Sequence, residues 1–119
     1  MLRLLSFAFL FLSVMSCKLP DAGQNQQDII PKEAYDTWAY IKKHNSAPEG
    51  YVGGRRFGNY EKRLPQKTEK GQRINYKEWD IYPKKKGQSR GAERIVTSSE
   101  GLGYYTPDHY EGFILMNPE

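Results

Sequence analysis

Cysteine occurs once and histidine twice in the 119 residues. A single cysteine, at position 17, excludes any disulfide within the chain, so nothing covalent staples the fold. Two histidines, no cysteine pair and no acidic triplet argue against a structural zinc or a calcium loop. No serine stands on a Gly-x-Ser-x-Gly elbow, which weakens a Ser-His-Asp reading. Long apolar runs are scarce too: Leu4 to Met15 is one, at the N-terminus, and no internal repeat follows it. A chain without staples must rest on a hydrophobic core, and nine Tyr, five Phe and two Trp have to supply much of it. That composition suits a small sheet with aromatic cross-strand packing.

The apolar run follows one positive charge, Arg3, and ends in small Ser16 before Cys17. Residues 1–16 read as a secretory signal, too short for a comfortable membrane span. "VMSC" resembles the bacterial lipobox, in which a signal peptidase cuts before a cysteine diacylated on sulfur. The resemblance implies lipidation at Cys17, hence an exported, membrane-anchored lipoprotein facing the periplasm or the exterior, or a secreted protein if Cys17 stays unmodified. A lipid-modified thiol also explains a lone cysteine in an exported chain. Residues 17–30 are polar, lack periodicity until Ile29 and Ile30, and read as a tether. Residues 31–119 form the expected folded domain; without the first sixteen residues 103 remain, enough for one compact domain and too few for two.

Pro31 followed by "KEAYDTWAYIKKH" predicts a helix, with Glu33 and Asp36 near its start and Lys42, Lys43 and His44 near its end to match the dipole. Ala34, Trp38 and Ile41 recur at spacings of four and three and form one apolar stripe. Beyond Gly50 the texture changes to short Tyr-, Ile- and Val-rich segments separated by Gly and Pro. Strands are expected at Arg55 to Tyr60, Arg73 to Tyr82, Glu93 to Ser98 and His109 to Met116. One helix followed by strands with short connections implies an α+β fold, the N-terminal helix packed on one face of a twisted antiparallel sheet.

Charge is unevenly spread. From Arg55 to Arg94 thirteen Lys and Arg face five Asp and Glu, whereas the rest of the chain after residue 16 has four against nine. A basic middle interleaved with Tyr60, Tyr76, Trp79 and Tyr82 points to an anionic partner whose bases stack on aromatic faces, which suits nucleic acid. Within "QRINYKEWDIY" the period of two puts Ile74, Tyr76, Glu78, Asp80 and Tyr82 on one face. Two carboxylates in an aromatic row need cationic partners, and Arg90 and Arg94 in "SRGAER" are the obvious ones. His109 in "YYTPDHYEGFILM" admits two readings on its own: a proton carrier, or a polar residue at the mouth of a strand. Together a carboxylate, two arginines and a histidine can perform phosphoryl transfer without a metal or other cofactor. If the substrate is RNA, its own 2′-hydroxyl is the nucleophile.

Four motifs in order carry a family resemblance: "GGRRFGNYEKRLP", "YKEWD", "SRGAERIVTSS" and "TPDHYEGF". Over roughly residues 31 to 118 the chain resembles the microbial guanyl-preferring ribonucleases, the family of barnase and its shorter streptomycete and fungal relatives. The resemblance implies cleavage of single-stranded RNA 3′ to guanosine through a 2′,3′-cyclic phosphate that is then hydrolysed. It makes Glu78 the base for the 2′-hydroxyl, His109 the acid for the leaving 5′-oxygen, Arg94 and Arg90 the phosphate ligands, and Asp80 their structural partner. Gly58, Asn59 and Tyr60 would present backbone groups to guanine, Glu61 would accept its N1 and N2 donors, and Tyr110 would line the site. The chain departs from bacterial members in having Tyr60 where they carry arginine. It also lacks the segment that bears a helpful lysine in the barnase branch, a charge that Arg55 or Arg56 could replace. A proteinaceous inhibitor is a family expectation, and monomer is the default state. The rival reading is a non-catalytic RNA- or polyanion-binding lipoprotein on the same fold.

Overall fold

The computed structural model describes residues 25–118; the signal segment, Cys17 and most of the expected tether lie outside them. Lys32–His44 form helix α1, the span read from the sequence. Pro31 sits at its N-cap with φ −68°, where a missing N–H is no loss. Asn45 ends the helix in the left-handed conformation, φ 52°, with its amide bonded to the Ile41 carbonyl at 2.7 Å. The packed unit starts before Pro31, however. A 3₁₀ turn at Gln26–Ile29 precedes it, Ile30 is only 6% exposed, and Gln27 donates to the Leu115 carbonyl at 2.7 Å. The last residues assigned to the tether therefore belong to the fold.

Five antiparallel strands follow, each paired with the next: β1 (Gly53–Phe57), β2 (Tyr76–Asp80), β3 (Arg94–Ser98), β4 (Gly103–Thr106) and β5 (Ile114–Leu115). Two expectations need correction. The strand read from His109 to Met116 is only Ile114–Leu115, because His109 and Tyr110 have φ 54° and 75° and turn the chain. Gly103–Thr106 is a strand the sequence reading left out. The long segment Arg73 to Tyr82 also shortens at its start. There Ile74 N–H bonds the Gln66 carbonyl and Arg73 pairs with Lys67, so that end closes a separate small hairpin.

The sheet has two working faces. Trp79, Ile81, Ile95 and Tyr105 pack with Ala34, Trp38 and Ile41 of α1 and with Met116. Gly103 makes this possible, since a Cβ there would stand 2.5 Å from the Trp38 indole. The opposite face carries a smaller cluster, Leu64, Ile74, Tyr76 and Val96, with Phe57, Tyr104, Tyr110 and Phe113 against it. Period two on β2 thus gives Trp79 to the helix side and leaves Glu78 and Asp80 on the far side, beside the smaller cluster. Ile95 is fully buried on the central strand. Ile95→Ala should lower the unfolding free energy by about 3 kcal/mol, read from urea denaturation. Exposed Lys77→Ala should stay within roughly 0.5 kcal/mol of the parent.

Candidate active site

Asp80 ends β2 almost without solvent contact, at 3% exposure, and would be costly there as an unpaired carboxylate. Arg90 answers it with a two-pronged contact, Nε to Oδ2 at 2.7 Å and Nη2 to Oδ1 at 2.6 Å. Arg94, its cross-strand partner on β3, brings Nε to 3.1 Å from Oδ1 as an ion contact without hydrogen-bond alignment. Arg94 Nη1 donates to the carbonyls of Gly91 and Glu93, at 3.0 and 2.7 Å, which turns the guanidinium back over its own loop. The two arginines anticipated from "SRGAER" therefore share one buried anion and keep a net positive charge. The Asp80 hydrogen bond, opposed by burial, raises the Arg90 pKa, with smaller contributions from the charge of Asp80 and from Tyr110 and Glu78. That places Glu78 and Tyr110 within electrostatic reach of the pair.

Glu78 stands two residues before Asp80, half-buried, between Arg55 of β1 and Val96 of β3. Its Oε2 accepts the Tyr110 hydroxyl at 2.7 Å. Burial, then this hydrogen bond and the carboxylate's charge, pushes the Tyr110 phenol far up, so it remains a donor at neutral pH. The His109 ring packs on Tyr110 at 4.7 Å between centroids. Glu78 and His109 thus meet different ends of one side chain. His109 and Tyr110 are two consecutive left-handed residues, which is strained for non-glycine backbone. Buried Thr106 sustains that turn: its Oγ1 accepts the Tyr110 amide at 3.0 Å and donates to Asp108 Oδ1 at 3.0 Å, which also accepts the Gly112 amide at 2.9 Å.

The loop after β1 is tied by its own asparagine. Asn59, at φ 51°, donates Nδ2 to the Leu64 carbonyl at 2.8 Å and accepts the Leu64 amide on Oδ1 at 3.1 Å. Its side chain is thereby committed to holding the loop. Tyr60 is 92% exposed and folds its ring over Gly58, where a Cβ would stand 2.3 Å from the ring. Between this loop and the His109 turn lies a recess of about 230 Å³ lined by Phe57, Asn59, Tyr60, Glu61, His109 and Tyr110, among others. Glu61 accepts Arg63 Nε on Oε2 at 2.7 Å, and Arg63 Nη1 also donates to the Glu111 carbonyl. One guanidinium therefore bridges the loop to the turn.

The residues singled out from the sequence fall into three adjoining groups. Asn59, Tyr60, Glu61, His109 and Tyr110 line the recess, Glu78 is joined to it through Tyr110, and Arg90 and Arg94 lie beyond on Asp80. Gly58 supports Tyr60 from behind and lines a different recess. Phe57, Arg63 and Phe113 were not anticipated. Phe57, immediately before "GNYE" and pairing with Tyr76 across strands, was the most accessible of them to a reading by period two. Among the described residues no three His, Cys, Asp or Glu side chains cluster as a metal site requires.

Removing Asp80 would leave two guanidinium groups facing each other. Asp80→Ala should therefore destabilise the fold by about 3 kcal/mol, measured by urea denaturation at constant salt. The Gly112 amide, and after it the Thr106 hydroxyl, lowers the Asp108 pKa from its ordinary value. A depressed carboxyl stabilises the fold above its unfolded pKa of about 4 and loses that contribution as pH falls through the folded value. Asp108→Asn should accordingly melt below the parent at pH 7, and the two melting temperatures should converge as the pH is brought well below 4.

A family model described as ribonuclease matches residues 15–117. Guanyl-specific ribonuclease St of Saccharopolyspora erythraea is 37% identical over 89 residues, covering 72% of this chain and 79% of the relative. Crystal structures of ribonuclease Sa2 superpose on the fold at 34% identity. The complex with guanosine-2′-cyclophosphate has a TM-score of 0.57 and covers 78% of this chain and 92% of that one. The complex with 3′-GMP has a TM-score of 0.58, with 78% and 93% covered. The α+β architecture is thus that of a known enzyme lineage, and the chain belongs to the microbial guanyl-specific ribonuclease family.

Proposed function

We propose that this protein cleaves single-stranded RNA on the 3′ side of guanosine, forming a 2′,3′-cyclic phosphate and then hydrolysing it. The observation that carries the residue assignment is Tyr110, which touches His109 through its ring and Glu78 through its hydroxyl at the edge of a recess containing Glu61. Guanine would occupy that recess, with Phe57 and Tyr60 as aromatic neighbours and backbone groups of the Gly58–Tyr60 stretch at its edge. Its N1 and N2 donors would bond Glu61, which first has to share or release Arg63. Adenine lacks that donor pattern and would leave the carboxylate unpaired, so the site discriminates by the energy of an unmade hydrogen bond.

Glu78 takes the 2′-hydroxyl proton as the oxygen attacks phosphorus. Arg94 and Arg90 neutralise the charge that accumulates on the phosphoryl oxygens. Protonated His109 gives its proton to the departing 5′-oxygen, and the two roles reverse when water opens the cyclic ester. Arg55, across the strand pair from Glu78, is a source of positive charge beside the base. Asp80 fixes the arginines without touching substrate.

The same proposal includes export, with lipid at Cys17 holding the domain outside the cytoplasm through the segment that precedes the fold. It also includes a monomeric enzyme and an inhibitor that protects the producing cell. The apolar leader and the "VMSC" junction support the first part; a Cys17→Ser form that still partitioned with membrane would overturn it. The catalytic part is tested with purified residues 18–119 and guanosine-containing dinucleotides in EDTA. Cleavage is expected, falling roughly 10²–10⁴-fold in Glu78→Gln and in His109→Gln. Absence of cleavage would support the non-catalytic polyanion binder instead, and cleavage indifferent to Glu78→Ala would overturn the assignment of the base.

A further inference from the structure

Across the recognition loop from the guanine recess lies a second, larger one, of about 400 Å³. Arg56, Lys62, Lys67 and Arg73 line it with no carboxylate among the lining residues, and none of the four is in an ion pair among the described residues. Like charges gathered around a concavity raise one another's energy and create a focused positive potential, which an anion relieves. The recess also contains the neutral amide side chains of Gln66 and Asn75, which can hydrogen-bond a phosphate or a base edge.

Its frame is built in advance of any ligand. Lys67 and Arg73 are paired across the small hairpin, and the Thr68, Gly71 and Ile74 amides bond the Gln72, Thr68 and Gln66 carbonyls at 2.8 to 2.9 Å. The second recess shares Phe57, Asn59 and Tyr60 with the guanine recess, so the exposed Tyr60 ring stands on the wall between them. Tyr76 lines it, whereas the two arginines of the reaction centre gather on Asp80 at the other end of β2. Four residues of strand separate those ends by about 13 Å. Tyr76 and Asp80 share a face, so one strand of RNA can follow both.

We propose that this recess is a phosphate-binding subsite for the RNA lying 5′ of the guanosine. The inference rests on the placement of guanine and the scissile phosphate argued above. RNA 3′ of the guanosine leaves past Arg94 and His109, and the surface across the recognition loop is left for the 5′ side. Lys67 and Arg73 hold a backbone phosphate there while Tyr60 offers its free face to the preceding base. The subsite raises affinity for longer RNA and takes no part in bond breaking.

The test compares kcat/KM of the full-length chain on GpA, on UpUpGpA and on GpApUpU. The 5′-extended substrate should be cleaved more efficiently than GpA at low salt. In Lys67→Ala/Arg73→Ala that advantage should disappear while GpA and GpApUpU keep their parent values, and in Lys67→Arg/Arg73→Lys it should persist. One added phosphate contact also gives the advantage a slope of roughly −0.7 against salt on logarithmic axes, which the alanine pair removes. No gain from the 5′ extension, a gain that survives the alanine pair, or an equal loss on GpApUpU would overturn the subsite. Binding of the same sequences with 2′-deoxyguanosine, followed by fluorescence anisotropy, separates the two claims. A chain that cleaves nothing yet binds the 5′-extended probe more tightly than the 3′-extended one, and loses that preference in the alanine pair, fails the catalytic assignment and retains the subsite. Equal binding of the two probes overturns it.

Discussion

Asp80 is the constraint on which the rest of the site depends. A buried carboxylate cannot remain charged without partners, and the partners available in this basic stretch are Arg90 and Arg94. Satisfying Asp80 draws the loop before β3 against the end of β2 and suspends two guanidinium groups near Glu78. The positive charge that a reacting phosphate needs is therefore a by-product of solving a burial problem in the sheet. Arg94 supplies the strongest sign that the arrangement is shaped for function as well as stability, since its buried Nε–H meets the carboxylate without good alignment.

Around this cluster the other two parts of the site are loops, and each is braced by a different device. The loop after β1 is closed by the side chain of Asn59 on Leu64 and by the Lys62 amide on the Asn59 carbonyl. The turn carrying His109 is held in left-handed conformation by Thr106 and Asp108. Arg63 joins the two, bonding Glu61 on one and the Glu111 carbonyl on the other. The loop carrying Glu61 and the turn carrying His109 are thereby linked: a ligand that draws Glu61 from Arg63 acts on the same guanidinium that braces the turn.

Helix α1 was legible in the sequence because its apolar stripe, proline start and basic end all agree. The pairing of Asp80 with the arginines was legible for an energetic reason, since carboxylates in an aromatic row require cations. The strand expected from His109 failed because local side-chain hydrogen bonds, the Tyr110 amide to Thr106 and the Gly112 amide to Asp108, each four residues back, override the extended preference of the residues around it. Strand Gly103–Thr106 was hidden by its brevity and by the glycines beside it, although Tyr104, Tyr105 and Thr106 are good strand formers. The hydrogen bond from Tyr110 to Glu78 joins residues 32 apart and the contact of Arg63 with Glu111 joins residues 48 apart. Such contacts depend on register and turn geometry, which local patterns do not encode. The family resemblance named the residues of the site; Phe57, Arg63 and Phe113 emerged only from their positions in three dimensions.

The central claim is that one recess reads guanine while Glu78, His109 and the arginine pair handle the phosphate beside it. A crystal structure of the chain with guanosine 3′-monophosphate tests this most directly. The account predicts the base in the recess with N1 and N2 on the Glu61 carboxylate, Arg63 displaced from one or both of its partners, and the phosphate against Arg94 within reach of Glu78 and His109. A base seated elsewhere, or a phosphate held away from Arg94 with the Glu61 to Arg63 contact intact, would contradict it.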